Sequence, residues 1–196
     1  MTEGTVNAAA PYPVKLRERL NAAYTGQTIV VVSAGRGGEL AVDGVRRLPD
    51  ALREARPDLL LLMEGVNDLN NTAGVGPTIG AMESMIKYAR AQGVPVFVAT
   101  LPPQRRGGPR ASSVDLVAAF NDELRKTAAA EGATLVDLNS TFDLAWIGQD
   151  GLHPTDAGYS RLADIFFAAI RSAFEPPSQR TNNSPQRSQR SKNSPL

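Results

Sequence analysis

The chain's only histidine lies in a short stretch, Asp150-Gly151-Leu152-His153-Pro154. An aspartate three residues ahead of a histidine, on a turn stiffened by proline, can accept a hydrogen bond from the ring's Nδ1–H. That bond fixes the tautomer, stabilises the imidazolium and leaves Nε2 as a general base. Two other stretches carry groups suited to the same chemistry. In Ser33-Ala34-Gly35-Arg36-Gly37-Gly38-Glu39, Gly38 can present a bare backbone N–H to an oxyanion. In Gly65-Val66-Asn67-Asp68, the Asn67 amide can face a developing negative charge, where one such donor is worth about 3–4 kcal/mol in acyl transfer. Each stretch also has a plain structural reading. Glycines serve turns with positive φ, and Asn and Asp favour turns and helix caps.

A base needs something to deprotonate, and hydroxyl candidates are poor. No G-x-S-x-G elbow occurs. Ser84 falls inside an amphipathic stretch, Ser112 and Ser113 read as helix caps, and Ser140 opens the 139–148 connection. Ser33, beside the glycines, is the one local alternative. A dinucleotide fingerprint is disfavoured because its third glycine would fall at Leu40. With one histidine and no cysteine, no metal site is expected, although carboxylates alone could hold Mg²⁺. No organic cofactor is implied either.

The elements that must position these stretches can be read from periodicity. Four apolar runs, at 28–33, 58–64, 94–100 and 133–138, suit parallel strands buried on both faces. Amphipathic stretches at 13–24, 44–56, 77–92, 113–131 and 156–174 read as helices. Ser112 with Asp115 resembles a capping box, and Thr155 is a plausible N-cap. The resulting order, α-β-α-β-α-β-α-β-loop-α, predicts a three-layer α/β/α sandwich with a parallel sheet. Loops that follow such strands open on one edge of the sheet, where ligands sit. The chemistry-bearing stretches at 33–39 and 65–71, and the loop before the last helix, are therefore expected to converge there. One oddity stands out: the chain opens on a loop and a helix, so the strand expected first in such a sheet is missing.

A formal net charge of +1 gives no global field that would select a nucleic acid. No apolar run approaches the ~20 residues of a membrane span. The opening MTEGTVNAAAPYP lacks the basic and apolar regions of a signal peptide. Two regions are expected: a domain over 1–175, and a disordered tail over 176–196. The tail carries Arg180, Arg187, Arg190 and Lys192 without an acid, and it has almost nothing apolar to bury. The loop 101–113, with Arg105, Arg106 and Arg110, is either a solvated loop or a specificity element for an anionic group.

Together, the three stretches resemble the SGNH hydrolases, also called GDSL-like lipases and acylhydrolases, over essentially the whole span to residue 174. Gly38 matches the glycine of that family's second block. Gly65-Val66-Asn67-Asp68 matches its G-x-N-D block, and Asp150 to Pro154 matches its D-x-x-H-P block. The resemblance implies a flavodoxin-like fold and a serine esterase acting on small-molecule carboxylic esters or thioesters. His153 would be the base, Asp150 its orienter, and Gly38 and Asn67 oxyanion donors, with Gly65 and Asp68 in support. The family's first block carries the serine, and Met1-Thr2-Glu3-Gly4 looks like the remainder of such a block. On that reading the nucleophile belongs immediately before Met1, the first central strand is missing with it, and the chain is inactive. A full-length relative could carry an export signal upstream; compartment, oligomeric state and acyl specificity stay open. The alternative is a catalytically dead module of this fold that binds carbohydrate or lipid.

Overall fold

The computed structural model describes residues 11–71 and 73–175. The expected basic tail, and the Met1–Gly4 remnant of a first block, lie outside the described residues. Seven α-helices and three strands alternate in the described chain: α1 (Tyr12–Ala23), α2 (Ala41–Ala55), β1 (Leu60–Leu62), α3 (Val66–Asn70), α4 (Val75–Ala91), β2 (Val96–Ala99), α5 (Val117–Ala130), β3 (Thr134–Val136), α6 (Leu138–Thr141) and α7 (Asp156–Phe174). The strands form one parallel sheet in the order β1-β2-β3. Leu60, Leu61 and Leu62 lie in register with Val96, Phe97 and Val98, and Phe97, Val98 and Ala99 with Thr134, Leu135 and Val136.

Side chains on β2 alternate between two cores, as the period of two in a strand demands. Val96 and Val98 pack with Leu48, Met82, Ile86 and Phe120 from α2, α4 and α5. Phe97 and Ala99 pack with Leu16, Leu20, Tyr159 and Phe166 from α1 and α7. The sheet is therefore covered on both faces, which gives the predicted α/β/α sandwich and explains why its strands read as unbroken apolar runs. Ion pairs on the outer side, Lys15–Asp156 at 3.1 Å and Arg19–Asp164 at 2.6 Å, join α1 to α7.

Two expectations fail. Residues 28–33 were expected to form a strand, and they form none. Asn21 of α1 holds Ile29 by its amide, donating to Ile29 O at 2.7 Å and accepting from Ile29 N–H at 2.9 Å. Ile29 and Val31 pack against the α1/α7 core, but Val30 and Val32 are 73% and 62% exposed. The physical reason is that no described residue pairs with this segment: a strand exists only through its ladder. The Ser112–Asp115 capping box also fails. Ser112 Oγ instead donates to Asn70 Oδ1 at 2.9 Å, Asp115 pairs with Arg106, and α5 begins later, after Leu116, with no side-chain cap. The Thr155 cap does form: its Oγ1 accepts from Gly158 N–H at 3.1 Å and starts α7.

Candidate active site at the carboxyl edge of the sheet

His153 and Asp150 sit on the connection between α6 and α7. The Asp150 carboxylate is held by its own turn: Oδ1 accepts from the backbone N–H groups of Leu152 at 3.0 Å and His153 at 2.9 Å. Its Oδ2 lies 2.5 Å from His153 Nδ1. A carboxylate can only accept, so Nδ1 carries a proton; in the neutral ring this tautomer leaves the Nε2 lone pair free. Burial alone would push the Asp150 carboxyl up. The hydrogen bonds from the His153 ring and from the two backbone N–H groups outweigh burial and hold it below the usual range. Among the described residues, nothing hydrogen-bonds to Nε2.

Gly65 and α3 follow β1 directly. Gly65 has φ +110°, and a Cβ there would lie 2.8 Å from Phe120 Cζ, so only glycine lets the chain turn from strand to helix at this spot. In the first turn of α3, the buried Asp68 carboxylate accepts from Ala41 N–H at 3.0 and 2.9 Å. That bond ties down the amino end of α2; even so, burial raises the Asp68 carboxyl. Asn67 Nδ2 donates to Glu39 O at 2.9 Å. One amide hydrogen thus holds the glycine-rich loop and the second is left to donate elsewhere. Gly38 adopts φ +77° in that loop, and its N–H has no acceptor among the described residues. Arg47 of α2 grips the next residue, Glu39, through Nε–Oε1 at 2.7 Å and Nη2–Oε2 at 2.5 Å.

A continuous set of bonds links the expected site residues. Asn67 binds Glu39, next to Gly38. Asn70, one turn further along α3, donates to Arg110 O at 3.3 Å, and Arg110 N–H donates to Asp150 O at 2.9 Å. All of these groups lie at the carboxyl end of the sheet. Ser33 is exposed on the unpaired segment, and Ser84 and Ser140 bond to carbonyls of their own helical turns, Gly80 O and Asp137 O. The three arginines of the loop after β2 do not act as a set. Arg105 Nη2 donates to Leu144 O at 2.8 Å and Ile147 O at 3.0 Å, and Arg106 pairs with Asp115; only Arg110 stays exposed and unpaired among the described residues. No cluster of three or more His, Asp and Glu side chains able to hold a metal occurs among the described residues. None of their helices is long and apolar enough to cross a membrane.

Sequence reasoning missed two polar residues here. One is Asn70, whose signal was its position three after Asn67, on the same face of a helix. The other is Glu64, which stands at the end of β1 beside a cleft of about 850 Å³. Burial, with repulsion from Glu39 and Asp68, pushes the Glu64 carboxyl up to about 7. The cleft runs the length of β1 between that strand and residues 28–33, lined on one face of the sheet by Leu16 and Leu20 of α1 and on the other by Leu48 and Leu52 of α2. Its upper end opens between Glu64 and Ser33–Gly35, at the foot of the Gly38 loop.

Comparison with known proteins identifies the family and the fold. The chain matches the GDSL-like lipase/acylhydrolase family over residues 1–161. It is 31% identical over 165 residues to the esterase TesA of Pseudomonas aeruginosa, covering 80% of this chain and 76% of that protein. It is 27% identical over 161 residues to a multidomain esterase of Ruminococcus flavefaciens, covering 76% of this chain but only 20% of that much longer protein. The fold superposes on the lipase/acylhydrolase from Enterococcus faecalis with a TM-score of 0.74 at 24% identity, covering 88% of this chain and 91% of the other. The chain belongs to the GDSL-like lipase/acylhydrolase family, a family of ester hydrolases.

Proposed function

We propose that this protein works as a serine hydrolase of carboxylic esters or thioesters, its serine presented by an extended segment that occupies the cleft beside β1. The observation that carries the reading is the Asp150–His153 pair, with Nδ1 engaged and Nε2 unengaged among the described residues. The serine Oγ attacks the carbonyl carbon while His153 Nε2 takes its proton. Gly38 N–H and the second Asn67 amide hydrogen stabilise the tetrahedral oxyanion. The imidazolium, steadied by Asp150, returns the proton to the leaving alcohol or thiol. A water activated by the same Nε2 then releases the acid and frees the serine.

Two features support placing the nucleophile in the cleft. The gap lies between an extended segment and an edge of β1 that are both unpaired among the described residues, as a strand would require. Its carboxyl end also opens beside the Gly38 loop. Residues 1–196 alone are expected to be inactive. The test compares hydrolysis of p-nitrophenyl acetate by residues 1–196 with hydrolysis by the same chain preceded by an apolar strand ending in Gly-Asp-Ser. Activity is expected only from the extended form, and only while His153 is intact. Equal, His153-dependent activity from both forms would overturn the reading.

A further inference from the structure

Two glycines meet back to back beside the Asp150–His153 turn. A Cβ on Gly108, in the loop after β2, would lie 2.5 Å from both Asp150 O and Gly151 Cα. A Cβ on Gly151 would lie 2.7 Å from Arg105 O and 2.9 Å from Gly108 Cα. With neither Cβ present, the two backbones come close enough to bond. Arg105 N–H donates to Gly151 O at 2.9 Å, and Arg110 N–H to Asp150 O at 2.9 Å. The Arg105 guanidinium reaches past the turn to Leu144 O and Ile147 O, in the connection whose Gly148 N–H donates to His153 O at 2.8 Å. At its other end the loop is fixed to α3. Asn70 Oδ1 accepts from Ser112 Oγ at 2.9 Å and from Ser113 N–H at 3.1 Å. The same loop therefore bonds to the helix that carries Asn67 and to the turn that carries the base.

We infer that the 105–113 loop is a clamp that positions the Asp150–His153 pair, with Gly108 the contact that sets where Asp150 sits. Gly108 and Arg105 are positioning residues: they act through the Asp150 turn. A substituent at Gly108 has no flexible side chain to displace, only the backbone of residues 150 and 151. The carboxylate would move with that backbone, and the bond to Nδ1 would lengthen or bend. The catalytic consequence rests on the esterase reading above; the placement of the imidazole does not.

The two can be tested separately, because the chain has one histidine. In the ¹⁵N-labelled 196-residue chain, the Nδ1–H held by Asp150 is expected as a single downfield proton resonance. Gly108→Ala is expected to shift it upfield or broaden it beyond detection. Gly76→Ala, on α4 where a Cβ meets open space, is expected to leave it in place. In the serine-bearing extended form, Gly108→Ala is expected to lower kcat on the order of 100-fold, the scale of an ångström's misplacement, with KM within about twofold. Should Gly108→Ala not fold, Arg105→Gln keeps every backbone bond and removes the two carbonyl contacts, and a smaller shift in the same direction is expected. A folded Gly108→Ala or Arg105→Gln protein with an unmoved resonance overturns the clamp. So does a wild-type chain with no downfield resonance. A shifted resonance in a serine-bearing form that lacks esterase activity supports the clamp and removes the proposed reaction.

Discussion

The two edges of β1 carry similar residues and meet different fates. On one side, Leu60, Leu61 and Leu62 lie in a parallel ladder with β2, and beyond it β3 leads through α6 to the clamped Asp150–His153 turn. On the other side, the valines of residues 28–33 run beside an 850 Å³ cleft, with Val30 and Val32 turned to solvent. The paired side has already built the base and its orienting carboxylate. The open side holds the Gly38 loop, the Glu64 carboxyl and no bonded partner for Nε2 among the described residues. Packing, not composition, separates the two: an apolar run becomes a strand when a neighbour supplies the other half of its ladder.

The largest expected effect strikes the chemistry of the paired side. In Asp150→Asn, Oδ1 can still accept from Leu152 and His153 N–H, so the turn should persist. The new amide donates toward Nδ1, however, and pushes the ring proton onto Nε2. His153 then holds the wrong tautomer for a base, and kcat in the serine-bearing form should fall about 10⁴-fold. Steady-state kinetics with unchanged far-ultraviolet circular dichroism would check it. Next comes a direct contrast in stability. Val98 of β2 is fully buried against α4 and α5, so Val98→Asp places an unpaired charge in the core. That should cost about 4 kcal/mol or more, a large part of the stability of an ordinary domain. Val30→Asp makes the same chemical change on the open side, where the side chain is 73% exposed, and should cost within about 0.5 kcal/mol in the 196-residue chain. Urea titrations of both variants decide it. A Val30→Asp penalty near that of Val98→Asp would mean that the open side is already filled.

How far the molecule can be read from its sequence follows the same division. The β2 and β3 runs, the amphipathic helices and the Thr155 cap were legible because local pattern and tertiary packing agree there. The Asp150–His153 pair was legible because both partners lie on one turn. Residues 28–33 misled because periodicity reports what a segment could bury, not whether a neighbour is present. Ser112 and Asp115 misled because each found a partner far along the chain or across the loop, Asn70 and Arg106, that a local motif cannot show. The Gly108–Gly151 contact was equally invisible, since it joins residues 43 positions apart through the absence of side chains.

An expected effect smaller than the Val98→Asp loss sharpens the comparison from the open side. The Glu64 carboxyl is held at about 7 in the folded chain, against an ordinary value of 4.5. The folded state therefore keeps a proton that the unfolded state gives up between those two values. Stability on this account is greatest below about 4.5, declines as the pH rises toward about 7, and is level above it. Glu64→Gln removes the titration while keeping the shape. The variant should melt about as wild type does near pH 4.5 and higher than wild type at pH 8. The gain at pH 8 should be on the order of 5–10 °C, as expected for about 3 kcal/mol in a domain of this size. Melting curves across that range test the sign. Parity at low pH with a variant that melts below wild type at high pH would mean that the carboxylate is stabilised in its ionised form. Arg47, which already lowers this carboxyl, would then outweigh burial, and the upper end of the cleft would not be the desolvated place that its lining describes.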